Sequence, residues 1–99
     1  MKDKISMPLI EAMLQYKSED VYPLHTPGHK GGRGMQRLLR QELGGSVQMD
    51  VSLMSELDDI HEPETYIKEA QELAAQTYGS DACFWAVNGT SQAIHAMLL

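Results

Sequence analysis

Apolar positions along the chain divide it into a few periodic segments joined by polar and glycine-rich stretches. Over Pro8–Tyr16, the residues Leu9, Ile10, Met13 and Leu14 recur three and four apart, the spacing of one helix face. Ser6 stands where a cap belongs, and Pro8 suits a first turn, where its missing N–H costs nothing. Lys17-Ser18-Glu19-Asp20 is a polar exit. Val21 to Leu24 reads as extended, because Tyr22 precedes a proline. Met35 to Leu43 has room for two helical turns, stopped by Gly44-Gly45. Val47, Met49 and Val51 alternate with polar residues, as a short strand does. The strongest helical pattern runs from Pro63 to Tyr78. There Ile67, Ala70, Leu73, Ala74 and Tyr78 make a stripe, Glu62 and Glu64 suit the positive end of the dipole, and Gly79 stops the helix. Ala82-Cys83-Phe84-Trp85-Ala86-Val87 is nearly all apolar and reads as a strand buried on both faces, with Phe84 and Trp85 in the core. A further helix starts at Thr90 or Ser91, with His95 packed inside it.

Helix, strand, helix in that order predicts an α/β fold with a mostly parallel sheet covered on both faces. One such strand is too few for a sheet, so the others are expected downstream of Leu99. The chain stops there on two leucines without a cap, as the beginning of a larger protein would. No repeat, low-complexity tract or shift of composition divides residues 1–99.

Composition narrows the class. Ninety-nine residues at 42% apolar describe one small folded unit rather than a disordered chain. A net charge of −6, with no Lys/Arg cluster, argues against nucleic acid as a partner. Cys83 is the single cysteine, which excludes an internal disulfide and fits a reducing, cytoplasmic setting. Lys2, Asp3, Lys4 and Glu11 interrupt the start of the chain, so no signal-peptide core forms there. No apolar run reaches the length of a bilayer span, so no membrane partner is expected.

Four places carry candidate chemistry. Asn88-Gly89-Thr90-Ser91 joins the apolar run to a helix start. Free N–H groups, hydroxyls and a glycine there suit an anion, usually phosphate. The same residues also serve as an ordinary N-cap. His25 and His29 stand four apart, the spacing of two zinc ligands on a helix, but Pro27-Gly28 breaks any helix between them and no third ligand is near, so no metal is expected. Lys30 beside His29 reads either as an amine nucleophile or as an exposed charge or phosphate contact. Asp58, Asp59 and His61 follow Glu56 closely. They read as a site for a cation or cationic substrate, or as a solvated acidic turn before the next helix.

Together these segments are more specific than any one. Leu24-His25-Thr26-Pro27-Gly28-His29-Lys30-Gly31-Gly32, then Asp50-Val51-Ser52, then Glu56-Leu57-Asp58-Asp59-Ile60-His61, then Val87-Asn88-Gly89-Thr90-Ser91 follow one another in this order. So arranged, the chain resembles the ornithine/lysine/arginine decarboxylase family from about Pro8 to Leu99. The resemblance implies pyridoxal phosphate as cofactor and the aspartate-aminotransferase fold, of whose major domain this chain is an N-terminal fragment. Residues 1–62 would supply an N-terminal helix and active-site loops, and residues 63–99 a helix, strand, phosphate turn and helix start. It implies decarboxylation of arginine, lysine or ornithine in polyamine metabolism, in a homodimer or higher homo-oligomer with active sites between subunits. Gly89, Thr90 and Ser91 match the family's cofactor-phosphate turn. His25, Thr26, Pro27, Gly28, His29, Lys30, Asp58 and Asp59 match segments lining the active-site mouth. The family's Schiff-base lysine is expected downstream of Leu99, which leaves no catalytic residue within this chain. Of the lysines present, only Lys30 follows a histidine, and it sits in the Pro-Gly-His-Lys loop. Two other readings use the same residues: a binding or interaction module without activity, and a small metal-dependent hydrolase using His25, His29 and Asp58.

Overall fold

The computed structural model describes residues 5–52, 54 and 56–99. Helix α1 runs from Pro8 to Ser18, α2 from Arg37 to Leu43, α3 from Tyr66 to Tyr78 and α4 from Thr90 to Leu98. A 3-10 helix, Gly44–Met49, continues directly from α2.

Pro8 opens α1 as the sequence suggests, but Met7 is the N-cap and no side chain caps it, so Ser6 has no such role. Glu11 in the first turn and Lys17 in the last both complement the helix dipole. The face turned inward is not the predicted one. Pro8 and Ala12 are buried and Leu9 and Met13 half-buried, whereas Ile10 and Leu14 are exposed. Packing selected the narrower Ala12 stripe, where a small side chain lets α3 approach.

The α3 helix starts at Tyr66, three residues after Pro63, because the backbone of Glu64 and Thr65 is drawn to Asp58 (below). Its end follows expectation. Gly79 takes φ +67, its N–H reaches Gln76 O at 3.3 Å, and the Ser80 N–H reaches Ala75 O at 2.9 Å. That is a Schellman close, which a glycine permits without steric cost. Ile67 and Ala75 are buried, whereas Tyr78 leaves the stripe and is 85% exposed.

Val47, Met49 and Val51 do not form a strand. Gly44 at φ +58 turns the chain at the end of α2, and residues 44–49 coil into the 3-10 helix. Val47 is then carried inward to the core with Ala12, Leu57, Ile67 and Ala75. Helix α1 packs against α3 and the 3-10 helix, and α2 against the 3-10 helix.

Among the described residues there is no β-sheet; an isolated antiparallel bridge joins Met54 and Asp58. Ala82–Val87 pairs with no strand, and Phe84 is 86% exposed rather than core. Trp85 is also exposed, as is His95. Helix α4 contacts none of the other helices. The radius of gyration, 16.3 Å, exceeds the roughly 13 Å of a compact chain this long. Among the described residues no helix is long and apolar enough to cross a membrane.

Candidate functional site

The Thr26–Gly34 loop is held by its own backbone. Lys30 N–H donates to Pro27 O at 3.3 Å, Arg33 N–H to Lys30 O at 3.2 Å and Gly34 N–H to His29 O at 2.9 Å. Lys30, Gly31 and Gly32 all have positive φ, at +51, +63 and +89. Glycine adopts this freely, but for Lys30 it costs about 1 kcal/mol. A Cβ on Gly32 would stand 3.3 Å from Val47 Cγ1. The bare backbone is what lets the loop settle on the 3-10 helix.

Both histidines are fixed by this loop. His25 Nδ1 faces the Thr26 carbonyl, which only accepts, so Nδ1 carries a proton. In the neutral ring Nε2 then accepts from Tyr16 Oη, 2.6 Å away. His29 has the other tautomer. Its Nδ1 accepts the Gly32 N–H at 3.2 Å, so Nε2 donates to Asp50 Oδ2 at 2.9 Å. Lys30 Nζ donates to His25 O at 2.7 Å. Arg33 pairs with Asp20 at 3.3 Å and lies 5.5 Å above the Tyr22 ring. Tyr16, His25, Lys30, Gly31, Arg33 and Asp50 line a cavity of about 70 Å³, together with Lys17 and Asp20.

Asp58 is buried, with φ +77, a conformation aspartate tolerates better than most residues. Its Oδ1 accepts the N–H groups of Asp59 and Glu64, both at 2.9 Å. Its Oδ2 accepts those of Thr65 at 2.9 Å and Ile67 at 3.0 Å. Asp58 therefore caps α3 from outside the helix. Burial works to raise its pKa, but the hydrogen bonds from Glu64, Asp59, Thr65 and Ile67 outweigh burial and hold the carboxyl well below its ordinary range. The acidic cluster is thus split. Asp58 is not part of a solvated turn, while Asp59 is exposed and uses Oδ1 on the His61 N–H at 2.8 Å.

The third place is the start of α4. Gly89 is its N-cap at φ +88, and beyond its chain neighbours no atom lies within 4 Å of where its Cβ would be. The first intrahelical bond is Ala93 N–H to Gly89 O at 3.3 Å, so the N–H groups of Thr90, Ser91 and Gln92 have no acceptor within the helix. No side chain of the cap fills the gap. Gln92 instead folds back, its Oε1 taking the Asn88 N–H at 3.0 Å. Thr90 and Ser91 are exposed.

His25, Thr26, Pro27, Gly28, His29 and Lys30 come together with Asp50. Asp58 and Asp50 border a second hollow of about 440 Å³ with Ala12, Leu57 and Ile67. Gly89, Thr90 and Ser91 line neither hollow. Sequence reasoning gave no site role to Tyr16, which fits the helical pattern of α1, or to Asp50, which entered only through the Asp50-Val51-Ser52 segment and lies 21 residues from its partner His29. The zinc-hydrolase set does not assemble. His25 and His29 have both ring nitrogens engaged and Asp58 has both oxygens engaged. Among the described residues, no three His, Cys, Asp or Glu side chains gather as a metal site.

Residues 7–99 match the family described as Orn/Lys/Arg decarboxylase, major domain. The chain belongs to the Orn/Lys/Arg decarboxylase family. An arginine decarboxylase of Bacillus cereus is 39% identical over 93 residues, covering 93% of this chain and 20% of the relative. An arginine decarboxylase of Bacillus subtilis is 40% identical over 93 residues, covering 93% and 19%. A lysine decarboxylase of Hafnia alvei is 32% identical over 98 residues, covering 92% and 13%. This decarboxylase-family chain thus spans about a fifth of the length of the arginine decarboxylases it matches. No solved structure matches it.

Proposed function

We propose that this chain supplies the phosphate turn and the active-site mouth of a pyridoxal-phosphate-dependent decarboxylase of basic amino acids, serving polyamine metabolism. The observation that carries the reading is the open start of α4. A nine-residue helix presents the Thr90 and Ser91 N–H groups and hydroxyls beside a glycine with empty space at its Cβ position. Such an end attracts an anion through its dipole and its unpaired donors. A phosphate group fits there, held by Gly89, Thr90 and Ser91. When bound, the cofactor supplies an electron sink for the pair left behind as carbon dioxide departs.

The chain's own residues do the positioning. The N–H groups of Thr90 and Ser91 fix the phosphate end. The loop carrying His25 and Lys30 is rigid, because both histidines and the lysine are hydrogen-bonded within it. With Asp58 committed to α3, Asp59 is the acidic residue at this turn left to face a substrate's distal cation. In the whole domain, Ala82–Val87 would enter the predicted parallel sheet, covering the exposed Phe84 and Val87. The active site would lie between two subunits.

The test is release of carbon dioxide by the full gene product with pyridoxal phosphate, on arginine, lysine and ornithine. Arginine comes first, since arginine decarboxylases are the more similar of the relatives described. The double variant Thr90→Ala/Ser91→Ala should raise the cofactor concentration needed for half activity by about tenfold or more, as loss of charge-assisted hydrogen bonds implies. An unchanged cofactor requirement, or no activity on any of the three amino acids, would overturn the reading.

A further inference from the structure

We propose that the cavity under Lys30 is a subsite for one small oxyanion, a carboxylate or phosphate group, distinct from the Gly89–Ser91 turn. The charges around it are unevenly matched. Three cations, Lys17, Lys30 and Arg33, line it against two carboxylates, Asp20, which pairs with Arg33, and Asp50, which is hydrogen-bonded to His29. No carboxylate pairs with Lys17 or Lys30 among the described residues. An excess of positive charge thus faces one hollow in a chain whose net charge is −6.

Donors are left over as well. Lys30 Nζ gives one hydrogen to His25 O and keeps two. The Gly31 N–H, at the same cavity, has no acceptor among the described residues. Lys30 also holds its place at φ +51, where a glycine would be less strained. A residue held in a strained conformation beside a cavity, with an ammonium fixed on a carbonyl of the same lining, is the pattern of a ligand contact. At about 70 Å³ the hollow suits one ionic group rather than a whole ligand. The occupant is the carboxylate of an amino acid or a phosphate, and both present oxygens to ammonium and backbone N–H donors.

The experiment follows backbone amide resonances of the full chain during titration with acetate, inorganic phosphate, arginine, and agmatine, which is arginine without its carboxylate. Saturable shifts at Lys30, Gly31 and Gly32 with an approximately millimolar midpoint are expected from at least one oxyanion. Shifts from arginine but not agmatine assign the site to an amino-acid carboxylate, and shifts from phosphate alone assign it to phosphate. Lys30→Gly relieves the backbone and removes the ammonium, so it should keep the fold and weaken binding about tenfold. Lys17→Gln, on the exposed end of α1, should weaken it about threefold. No saturable shift at these glycines, or binding unchanged in both variants, would overturn the proposal. The response at Thr90 and Ser91 is read separately in the same spectra, so the phosphate turn stands or falls independently.

Discussion

Ala12, Val47, Leu57, Ile67 and Ala75 are buried, and all lie before Gly79; Phe84, Val87, Ile94, Met97, Leu98 and Leu99, all beyond it, are exposed. The earlier region holds the buried core and ties its polar groups together, although α2 buries no side chain of its own. Asp58 ties its turn to α3, His29 ties its loop to Asp50, and Gly79 closes α3. The later region carries the open helix start proposed to hold a phosphate, yet α4 touches no other helix. Local chemistry therefore builds a helix start without neighbours, whereas an apolar strand needs them. A helix satisfies its backbone within itself, but a strand must find its hydrogen bonds elsewhere.

The largest expected effect lies in the earlier region. Asp58→Ala removes a carboxylate that accepts four backbone N–H groups. It should cost about 3 kcal/mol, measured by denaturant unfolding followed by circular dichroism. The same carboxylate gives a pH signature. Its folded pKa is depressed, so its contribution is fully present above its unfolded value of about 4 and is lost as pH falls below that. Stability lost instead on raising the pH from 5 to 8 would contradict this role.

In the region beyond Gly79, association rather than unfolding should respond. Phe84→Ser removes an exposed apolar side chain worth about 2 kcal/mol on burial. The chain is expected to self-associate through this exposed apolar surface, and sedimentation should show that association weakened about thirtyfold, with stability of α1–α3 unchanged. A smaller effect is expected of Gly89→Ala. With φ +88 and ψ 177, its backbone suits only glycine, and alanine should destabilise the start of α4 by about 1 kcal/mol. Since nothing lies near that Cβ, the cost is conformational, visible as fraying of Thr90 and Ser91 in amide exchange. Smallest is the coupling between His29 and Asp50. A double-mutant cycle with His29→Ala and Asp50→Ala should give about 0.5 kcal/mol, because Asp50 is largely exposed.

Much of this was legible in the sequence. Pro8, Gly44, Gly79 and Gly89 marked helix boundaries correctly because capping is local. The Gly89–Thr90 helix start followed from the same logic. Periodicity failed where tertiary packing decided. Alternation at Val47, Met49 and Val51 looks like a strand, but a 3-10 turn also brings Val47 inward. The buried face of α1 was displaced because a small residue, Ala12, lets α3 approach, whereas α3 kept Ile67 buried and Ala70, Leu73 and Ala74 half-buried and lost only Tyr78 from its stripe. Asp58 as a remote cap, and Asp50 as the partner of His29, depend on contacts that no local spacing reveals. Phe84 and Trp85 have the composition of core residues, yet both are exposed and Ala82–Val87 pairs with no strand.

The start of α4 is proposed to hold the cofactor's phosphate. The most direct measurement compares pyridoxal phosphate with pyridoxal, which lacks only the phosphate, by amide resonance titration of the chain. Saturable shifts at Gly89, Thr90 and Ser91 with pyridoxal phosphate, absent with pyridoxal and lost in Thr90→Ala/Ser91→Ala, are the predicted result. Equal responses to both compounds, or none at these three residues, would contradict it.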